Sequence, residues 1–246
     1  MKTMPSTAYT DPRLAACYDA INPPDASYAF YIALAGDAPK IILDMGSGTG
    51  RLAVALAERG HRVTGADPAP GMMRVARSRP GAERVRWIES AAAELALETR
   101  FDLVIMTSHV FQVFLSDDDV CATLRALRAH LAPGGTLAFE TRNPLVEEWR
   151  EWIPSLTRET IAVPGIGTVE VHNGIAAAGD NLVTYETHFR FEPDDIVVAV
   201  DTLRFMSQAE LAVFLRDTGF TDVTWFGNWD RSPISATSPE IIAIAG

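Results

Sequence analysis

Short apolar runs alternate with segments of helical period up to about residue 140 of the chain. The apolar runs predict five strands, at residues 40–45, 62–66, 85–88, 101–106 and 136–140. The intervening segments predict helices that begin near Gly50, Pro70, Ala92 and Ser116. This alternation is typical of a parallel sheet with a helix in each crossover.

The pattern changes after residue 140. From 149 to 205 it is β-rich without intervening helices, and residues 182–191 largely alternate between apolar and polar positions after the hairpin signal Gly179-Asp180-Asn181. A last helix is predicted at 208–217, ended by Gly219, and residues 222–226 and 241–244 predict a terminal hairpin.

Two helix starts carry capping-box spacing, Ser116 with Asp119 and Ser207 with Glu210. The acidic run Asp117-Asp118-Asp119 therefore falls in a first helical turn, where carboxylates interact favourably with the helix dipole. We interpret it as a helix start and not as a metal site.

Composition narrows the function classes. The chain has 246 residues, 48% of them apolar, and 21 basic against 32 acidic residues give a net charge of -11, which disfavours nucleic acid as a partner. MKTMPSTAYT lacks the apolar core of a signal peptide, and no later run approaches the ~20 apolar residues of a membrane span, so we expect a cytoplasmic protein without a membrane partner.

Cys17 and Cys121 have no metal-ligand spacing, so no metal site is predicted and both are expected to be buried as small hydrophobes.

Three glycines, Gly46, Gly48 and Gly50, follow the first predicted strand and lead directly into a helix. A turn with so little side chain brings its backbone close to a ligand. Asp67 ends the second predicted strand, where an acidic residue accepts hydrogen bonds from the two hydroxyls of a ribose. The alternative role for Asp67 is to cap the helix near Pro70.

The spacing of this loop differs from the G-x-G-x-x-G of dinucleotide sites, and Asp44 precedes it. A carboxylate there repels a pyrophosphate but suits an ammonium group. With LDMGSGTG at 43–50, ADPAPGM at 66–72, FDLV at 101–104 and LAPGGTL at 131–137, the chain resembles the class I S-adenosylmethionine-dependent methyltransferases over about residues 40–141.

The resemblance implies an α/β fold: a Rossmann-like, doubly wound, mostly parallel seven-stranded sheet with an antiparallel last strand and a small antiparallel β insertion. It implies S-adenosylmethionine as cofactor and S-adenosylhomocysteine as product. Gly46, Ser47, Gly48 and Gly50 would face the methionine part, Asp67 would bind the ribose, and Met72 would pack on the adenine. The remaining expected cofactor contacts are Tyr18, Asp44, Pro68, Ser90, Ala91, Ala92 and Thr107.

One position departs from the family pattern. Ala91 stands where the family often has an aspartate that accepts a hydrogen bond from the adenine amino group. Adenine would then depend on backbone groups, on Ser90 or on Glu94, and one lost hydrogen bond would weaken binding by ~1 kcal/mol.

The resemblance further implies in-line transfer of a methyl group to a nitrogen or oxygen of a small molecule, a reaction that depends on alignment and exclusion of water. His109, after the fourth strand, is the candidate base, although a loop histidine also serves as a hydrogen-bonding support. Tyr185 is the second candidate catalytic residue, and His188 faces the opposite side of the same strand. Trp149, Trp152 and Trp229 are further candidates to line the pocket, and Gln112 either orients substrate or caps its turn.

Domain boundaries follow from these assignments. Residues 1–141 and 206–246 form the predicted cofactor-binding domain, with 1–38 as an N-terminal helical lid. Residues 142–205 form a β-rich insertion that resembles the lids of glycine and aminosugar N-methyltransferases. The rival hypothesis is that the insertion is the interface of a homodimer.

Two other functions stay open at this point. An NAD-dependent oxidoreductase would use a similar loop and Asp67, but the chain lacks G-x-G-x-x-G and a Tyr-x-x-x-Lys motif. A catalytically idle regulatory protein that binds S-adenosylmethionine is compatible with the same motifs, because methyl transfer needs no diagnostic catalytic residue.

Overall fold

The computed structural model describes residues 7–246 as a larger mixed sheet with helices and a separate smaller sheet. Its helices are α1 (Thr7–Thr10), α2 (Pro12–Ile21), α3 (Ala26–Ala35), α4 (Arg51–Glu58), α5 (Pro70–Ser78), α6 (Asp117–His130), α7 (Pro154–Thr157) and α8 (Gln208–Asp217). Its strands are β1 (Ile41–Met45), β2 (Arg62–Asp67), β3 (Arg86–Glu89), β4 (Phe101–Met106), β5 (Leu131–Arg142), β6 (Glu159–Val163), β7 (Gly167–Gly179), β8 (Leu182–Glu192), β9 (Asp195–Arg204), β10 (Val223–Phe226) and β11 (Glu240–Ala245). Residues 1–6, part of the predicted N-terminal lid and of the segment tested for a signal peptide, lie outside the described residues.

The larger sheet has seven strands in the order β10-β11-β5-β4-β1-β2-β3. Strands β1 to β5 are parallel, and β11 runs antiparallel to both β5 and β10. The predicted fold class is therefore confirmed, including the terminal hairpin. Because β1 and β4 are adjacent central strands, the loops that follow them meet at one edge of the sheet.

Buried apolar side chains cover both faces of this sheet. Phe139, Leu124 and Leu211 belong to the core on one face, and Ile42, Leu56 and Ile105 belong to the core on the other. This double burial explains why the strands read as continuous apolar runs in the sequence. Of the two cysteines, Cys17 is buried as expected, whereas Cys121 is half-buried.

The helix predicted from Ala92 is wrong: the structure has only a 3-10 turn, Ala92–Glu94. Residues 90–100 must pass two intervening strands and return along the sheet, a path of about 25 Å. A helix advances about 1.5 Å per residue, so this segment would cover only about 16 Å as a helix. Chain length therefore overrides the local helix propensity of the alanine-rich stretch.

The predicted helix starts at Ser116 and Ser207 are confirmed. Ser116 accepts a hydrogen bond from the backbone of Asp119, and Ser207 and Glu210 form a complete capping box. The acidic run lies in the first turn of α6, and Asp117 also pairs with Arg204.

Residues 159–204 form a four-stranded antiparallel sheet in the order β6-β7-β8-β9. Asp180 and Asn181 both have positive φ, 50° and 64°, and make the predicted tight hairpin between β7 and β8. The segment is not free of helix, because the short helix α7 precedes β6. One face of this sheet packs on α2, where Leu14 and Cys17 contact Val169 and Phe189 among others.

Candidate active site

The glycine loop joins β1 to α4 at the carboxyl edge of the larger sheet. Gly46, Gly48 and Gly50 have φ values of 76°, 52° and 77°, a region that side-chain-bearing residues rarely adopt. The amide of Gly46 donates to the carbonyl of Ala66 at 2.7 Å, which fixes the loop against β2.

The three glycines serve different needs. A Cβ on Gly46 would lie 2.7 Å from the side chain of Val110, and one on Gly50 would lie 2.4 Å from the ring of Trp87. A Cβ on Gly48 would meet nothing within 4 Å, because this residue faces an open cavity. The sequence grouped all three as ligand-facing, but Gly50 does not line the cavity and makes room for Trp87.

Asp44 lies beneath the loop at the end of β1 and is 1% exposed. Among residues 7–246, its Oδ1 and the Oγ of Ser47 are buried polar atoms without a hydrogen-bond partner. Burial, followed by the charges of Asp67 and Glu140, raises the pKa of Asp44 to about 7. Two unpartnered acceptors at this position fit a cationic hydrogen-bond donor such as an ammonium group.

Asp67 ends β2 and faces the same cavity. Its carboxylate accepts from the amide of Gly48 at 2.9 Å and from the amide of Ala69 at 2.8 Å. Burial raises its pKa above the ordinary aspartate value, although both backbone hydrogen bonds oppose this. Asp67 is not the N-cap of α5, because that position is Ala69 and carries no side-chain capping bond. Its bond to Ala69 holds the turn before the helix, and its bond to Gly48 couples it to the glycine loop.

A cavity of about 1450 Å³ connects these groups. Its walls are the glycine loop, helix α2, the loop after β4 and the inner face of the smaller sheet. Every predicted cofactor residue except Gly50 lines it: Tyr18, Asp44, Gly46, Ser47, Gly48, Asp67, Pro68, Met72, Ser90, Ala91, Ala92 and Thr107. Glu94 also lines it, on the same side as Ala91.

His109 lies in the loop after β4 and lines the cavity. Ser108 and His109 both have positive φ, 58° and 57°, and the amide of His109 donates to Glu140 at 2.9 Å. Tyr31 donates its hydroxyl to the other oxygen of Glu140. These bonds hold a backbone conformation that is uncommon for residues other than glycine.

The imidazole of His109 makes a second contact with a distant segment. Its Nε2 lies 3.0 Å from both carboxylate oxygens of Glu240 at the start of β11. Burial, and then the charge of Arg142, lowers the pKa of His109 to about 4. Burial raises the pKa of Glu240 to about 8. The sequence identified His109 but gave no signal for Glu240, since the pairing of β11 with β5 brings the two together.

The smaller sheet supplies the opposite wall. Tyr185 lines the cavity beside Trp152, with 5.0 Å between ring centroids, and Arg142 lies 5.2 Å above the Trp152 ring. Burial raises the pKa of Tyr185, so its hydroxyl stays protonated near neutral pH. Trp229 also lines the cavity.

Three other predicted pocket residues lie elsewhere or act indirectly. His188 is on the outer face of the smaller sheet, stacked on His172, as the alternation with Tyr185 required. Trp149 packs against Phe205. Gln112 is buried and bridges Arg142 to the carbonyl of Arg204, so it supports the wall.

Helix α2 is fastened to the glycine loop by Asp19. Its carboxylate accepts from the hydroxyl of Thr49 at 2.6 Å and pairs with Arg51 and Arg79. Arg79 also donates to the carbonyl of Thr49 at 3.0 Å. Tyr18 on the same helix is hydrogen-bonded to Ser108 and lines the cavity. The sequence did not predict the attachment of α2 to the glycine loop through Asp19.

Acidic side chains dominate the lining of the cavity. They include Asp19, Asp25, Asp44, Asp67, Glu140 and Asp201. The basic lining residues within the described chain are Arg51, Arg142 and, when protonated, His109. The cavity therefore favours cationic ligands over anionic ones.

Comparison with known proteins agrees with this geometry. A family model described as a methyltransferase domain matches residues 42–135. The chain is 30% identical to a cypemycin N-terminal methyltransferase of Streptomyces over an alignment of 105 residues. This alignment covers 43% of each protein. The chain is 37% identical to a ubiquinone biosynthesis O-methyltransferase of Idiomarina loihiensis over an alignment of 120 residues, and this alignment covers 45% of each protein. The matches thus span less than half the length of these curated relatives.

Solved structures resemble the whole chain. The CcbJ methyltransferase from Streptomyces caelestis superposes with a TM-score of 0.80 at 21% identity, covering 99% of this chain and 98% of that one. CalS10, an amino pentose methyltransferase from Micromonospora echinaspora with S-adenosylmethionine bound, superposes with a TM-score of 0.66 at 20% identity, covering 94% and 95%.

Within residues 7–246, none of the helices combines the length and the apolar character that crossing a bilayer requires.

The sheet order, the cavity beside the glycine loop and the family model give a consistent assignment. Residues 42–135 match a methyltransferase domain, and the chain as a whole shares the fold of solved methyltransferases, one of which has S-adenosylmethionine bound.

Proposed function

We propose that the protein transfers a methyl group from S-adenosylmethionine to a nitrogen or oxygen of a small molecule and releases S-adenosylhomocysteine. The observation that carries this proposal is the pair of unpartnered buried acceptors, Asp44 Oδ1 and Ser47 Oγ, on residues that line the same cavity as Gly48 and Asp67. An adenosyl amino acid has the ammonium group and the ribose hydroxyls that these positions can bind.

The residues present fit the cofactor along its length. Asp44 and Ser47 would hold the ammonium group, Asp67 would accept from the ribose hydroxyls, and Met72 with Ser90 would flank the adenine. The cofactor supplies an electrophilic methyl group on a sulfonium sulfur. The chain then has to orient the acceptor and exclude water.

The acceptor end is the part of the cavity between His109 and Tyr185. Half-buried aromatic rings there, Trp152 and Tyr185, exclude water and suit a cation. The acidic lining favours an amine, which reaches the site as an ammonium ion and must lose a proton before it can attack. His109 is the proposed proton acceptor, and Tyr185 is proposed to orient the acceptor through its hydroxyl.

Residues 142–205 are proposed to act as the acceptor lid, and residues 7–38, the described part of the predicted N-terminal lid, as a second, helical lid. The packing of Leu14 and Cys17 of α2 on the smaller sheet supports a joint action of the two segments, because residues of both segments line the cavity.

Turnover on a panel of small amines and alcohols, followed by formation of S-adenosylhomocysteine, tests the function. We expect amines to react faster than alcohols. His109→Ala and Tyr185→Phe should lower kcat by about tenfold or more and leave the Kd for S-adenosylmethionine within about twofold, because neither residue belongs to the cofactor motifs.

Two results would contradict the proposal. Cofactor binding without turnover on any acceptor would favour the idle regulatory protein. Equal loss of cofactor affinity in both variants would place His109 and Tyr185 in the cofactor site and not at the acceptor.

A further inference from the structure

Glu140 and Glu240 both contact His109, but at different atoms. Glu140 binds its backbone amide and the hydroxyl of Tyr31, so its two oxygens fix the loop. Glu240 binds only the ring, with both oxygens 3.0 Å from Nε2. Only Glu240 therefore determines how the imidazole is oriented and which nitrogen is occupied.

The pair is sheltered from solvent, with the side chain of His109 20% exposed and that of Glu240 9% exposed. His109 lines the cavity, whereas Glu240 lies behind it in β11 and does not. Within the described residues, Nδ1 has no hydrogen-bond partner, so it is the ring nitrogen that remains for a ligand.

We propose that Glu240 is a positioning residue of the methyl transfer site: it holds His109 by Nε2 so that Nδ1 takes the proton from the acceptor. The inference rests on the proposed function, since it assigns a role within that reaction. Glu240 belongs neither to the glycine loop nor to the other sequence motifs.

The proton step is balanced within the pair and the acceptor. The N–H bond of the acceptor ammonium, or the O–H bond of a hydroxyl, breaks, and an H–Nδ1 bond forms. The electron pair of the broken bond stays on the acceptor nitrogen or oxygen as the nucleophilic pair. The imidazolium that results keeps its Nε2–H bond to the carboxylate of Glu240, which stabilises the positive charge.

The protonation of the pair depends on its surroundings. Burial is the largest cause for each partner, because it lowers the pKa of His109 and raises the pKa of Glu240. The charge of Arg142 lowers both pKa values, and the charges of Glu148 and Asp25 raise both. The charge of Glu140 raises the pKa of His109. With His109 at about 4 and Glu240 at about 8, the carboxyl of Glu240 is protonated below pH 8 and donates to Nε2. The ring proton is then on Nδ1. Above pH 8 the carboxylate accepts from Nε2–H, and Nδ1 becomes the acceptor.

Nitrogen-15 NMR of the histidine ring across pH tests the pairing without any turnover, with His109 assigned from the His109→Ala spectrum. In the wild type we expect the ring proton to move from Nδ1 to Nε2 as pH rises through about 8. Glu240→Gln should abolish this change of tautomer, because the amide does not titrate. Glu83→Gln, a neutralisation at a side chain that is 75% exposed, should leave it unchanged.

The pH profile of kcat tests the catalytic consequence. We expect wild-type kcat to rise through about pH 8, and Glu240→Gln to lose this rise and fall by tenfold to about a hundredfold at high pH.

An unchanged tautomer switch in Glu240→Gln would overturn the pairing. A lost switch with an unchanged kcat profile would overturn the role in proton transfer. If the wild type shows no turnover on any acceptor, the proposed function fails and takes the proton role with it, while the NMR result still decides the pairing.

Discussion

Asp44 and Asp67 occupy the ends of neighbouring parallel strands, and both face the cavity. Their positions were predictable because a strand followed by glycines, and a second strand that ends in an acid, are local patterns. Asp19 and Glu240 were not predictable. Each acts on a residue far away in the chain, Thr49 and His109 respectively, and only the packing of α2 and the pairing of β11 with β5 bring them there.

The buried carboxyl of Asp44 makes cofactor affinity depend on pH. Its pKa is raised to about 7, so it takes up a proton as pH falls through 7 and loses the charge that an ammonium group needs. We expect the Kd for S-adenosylmethionine to rise up to about tenfold for each pH unit below 7. Titration calorimetry at several pH values measures this.

Asp44→Asn is the matched control for that measurement. It should bind more weakly at pH 8 and show little pH dependence below 7. A variant that kept the wild-type pH dependence would mean that another group, and not Asp44, takes up the proton.

At the scale of elements, the strands of the larger sheet were predicted to within a few residues, apart from the early start of β5 at Leu131. Buried parallel strands are apolar throughout, and this signal is strong. The error at Ala92 arose because propensity is local, whereas the path between β3 and β4 is set by the order of strands in the sheet. The short helix α7 escaped prediction because it has a single turn.

The attachment of α2 to the glycine loop predicts an effect on ligand exchange. Asp19→Ala removes the acceptor for Thr49, Arg51 and Arg79, so we expect dissociation of S-adenosylhomocysteine to accelerate by about tenfold, equivalent to ~1.4 kcal/mol. Stopped-flow displacement measures this rate.

Arg13→Ala is the control on the same helix. It removes the pair of Arg13 with Asp195, whose side chains are 45% and 46% exposed, and such exposed pairs contribute little. Its dissociation rate should stay within about twofold of the wild type. Equal acceleration in both variants would show general loosening of α2 and not a specific attachment to the loop.

At the scale of the molecule, the cavity lies between the larger sheet and the smaller one, and helix α2 contacts both. The sequence indicated an insertion after β5 but not its contacts, because packing between distant segments leaves no periodic signal. The outer face of β9 carries Ile196, Val198 and Val200, which are exposed. The homodimer considered from the sequence stays a prediction, and light scattering of the purified protein tests it.

The central claim is that the glycine loop and Asp67 bind S-adenosylmethionine in this cavity. Titration calorimetry of S-adenosylhomocysteine against the wild type and Asp67→Ala tests it most directly. We expect micromolar affinity for the wild type and a loss of about tenfold to a hundredfold in the variant, because the substitution removes the proposed charged acceptor of the ribose hydroxyls. Equal affinities, or tighter binding of NAD than of S-adenosylhomocysteine by the wild type, would contradict the account.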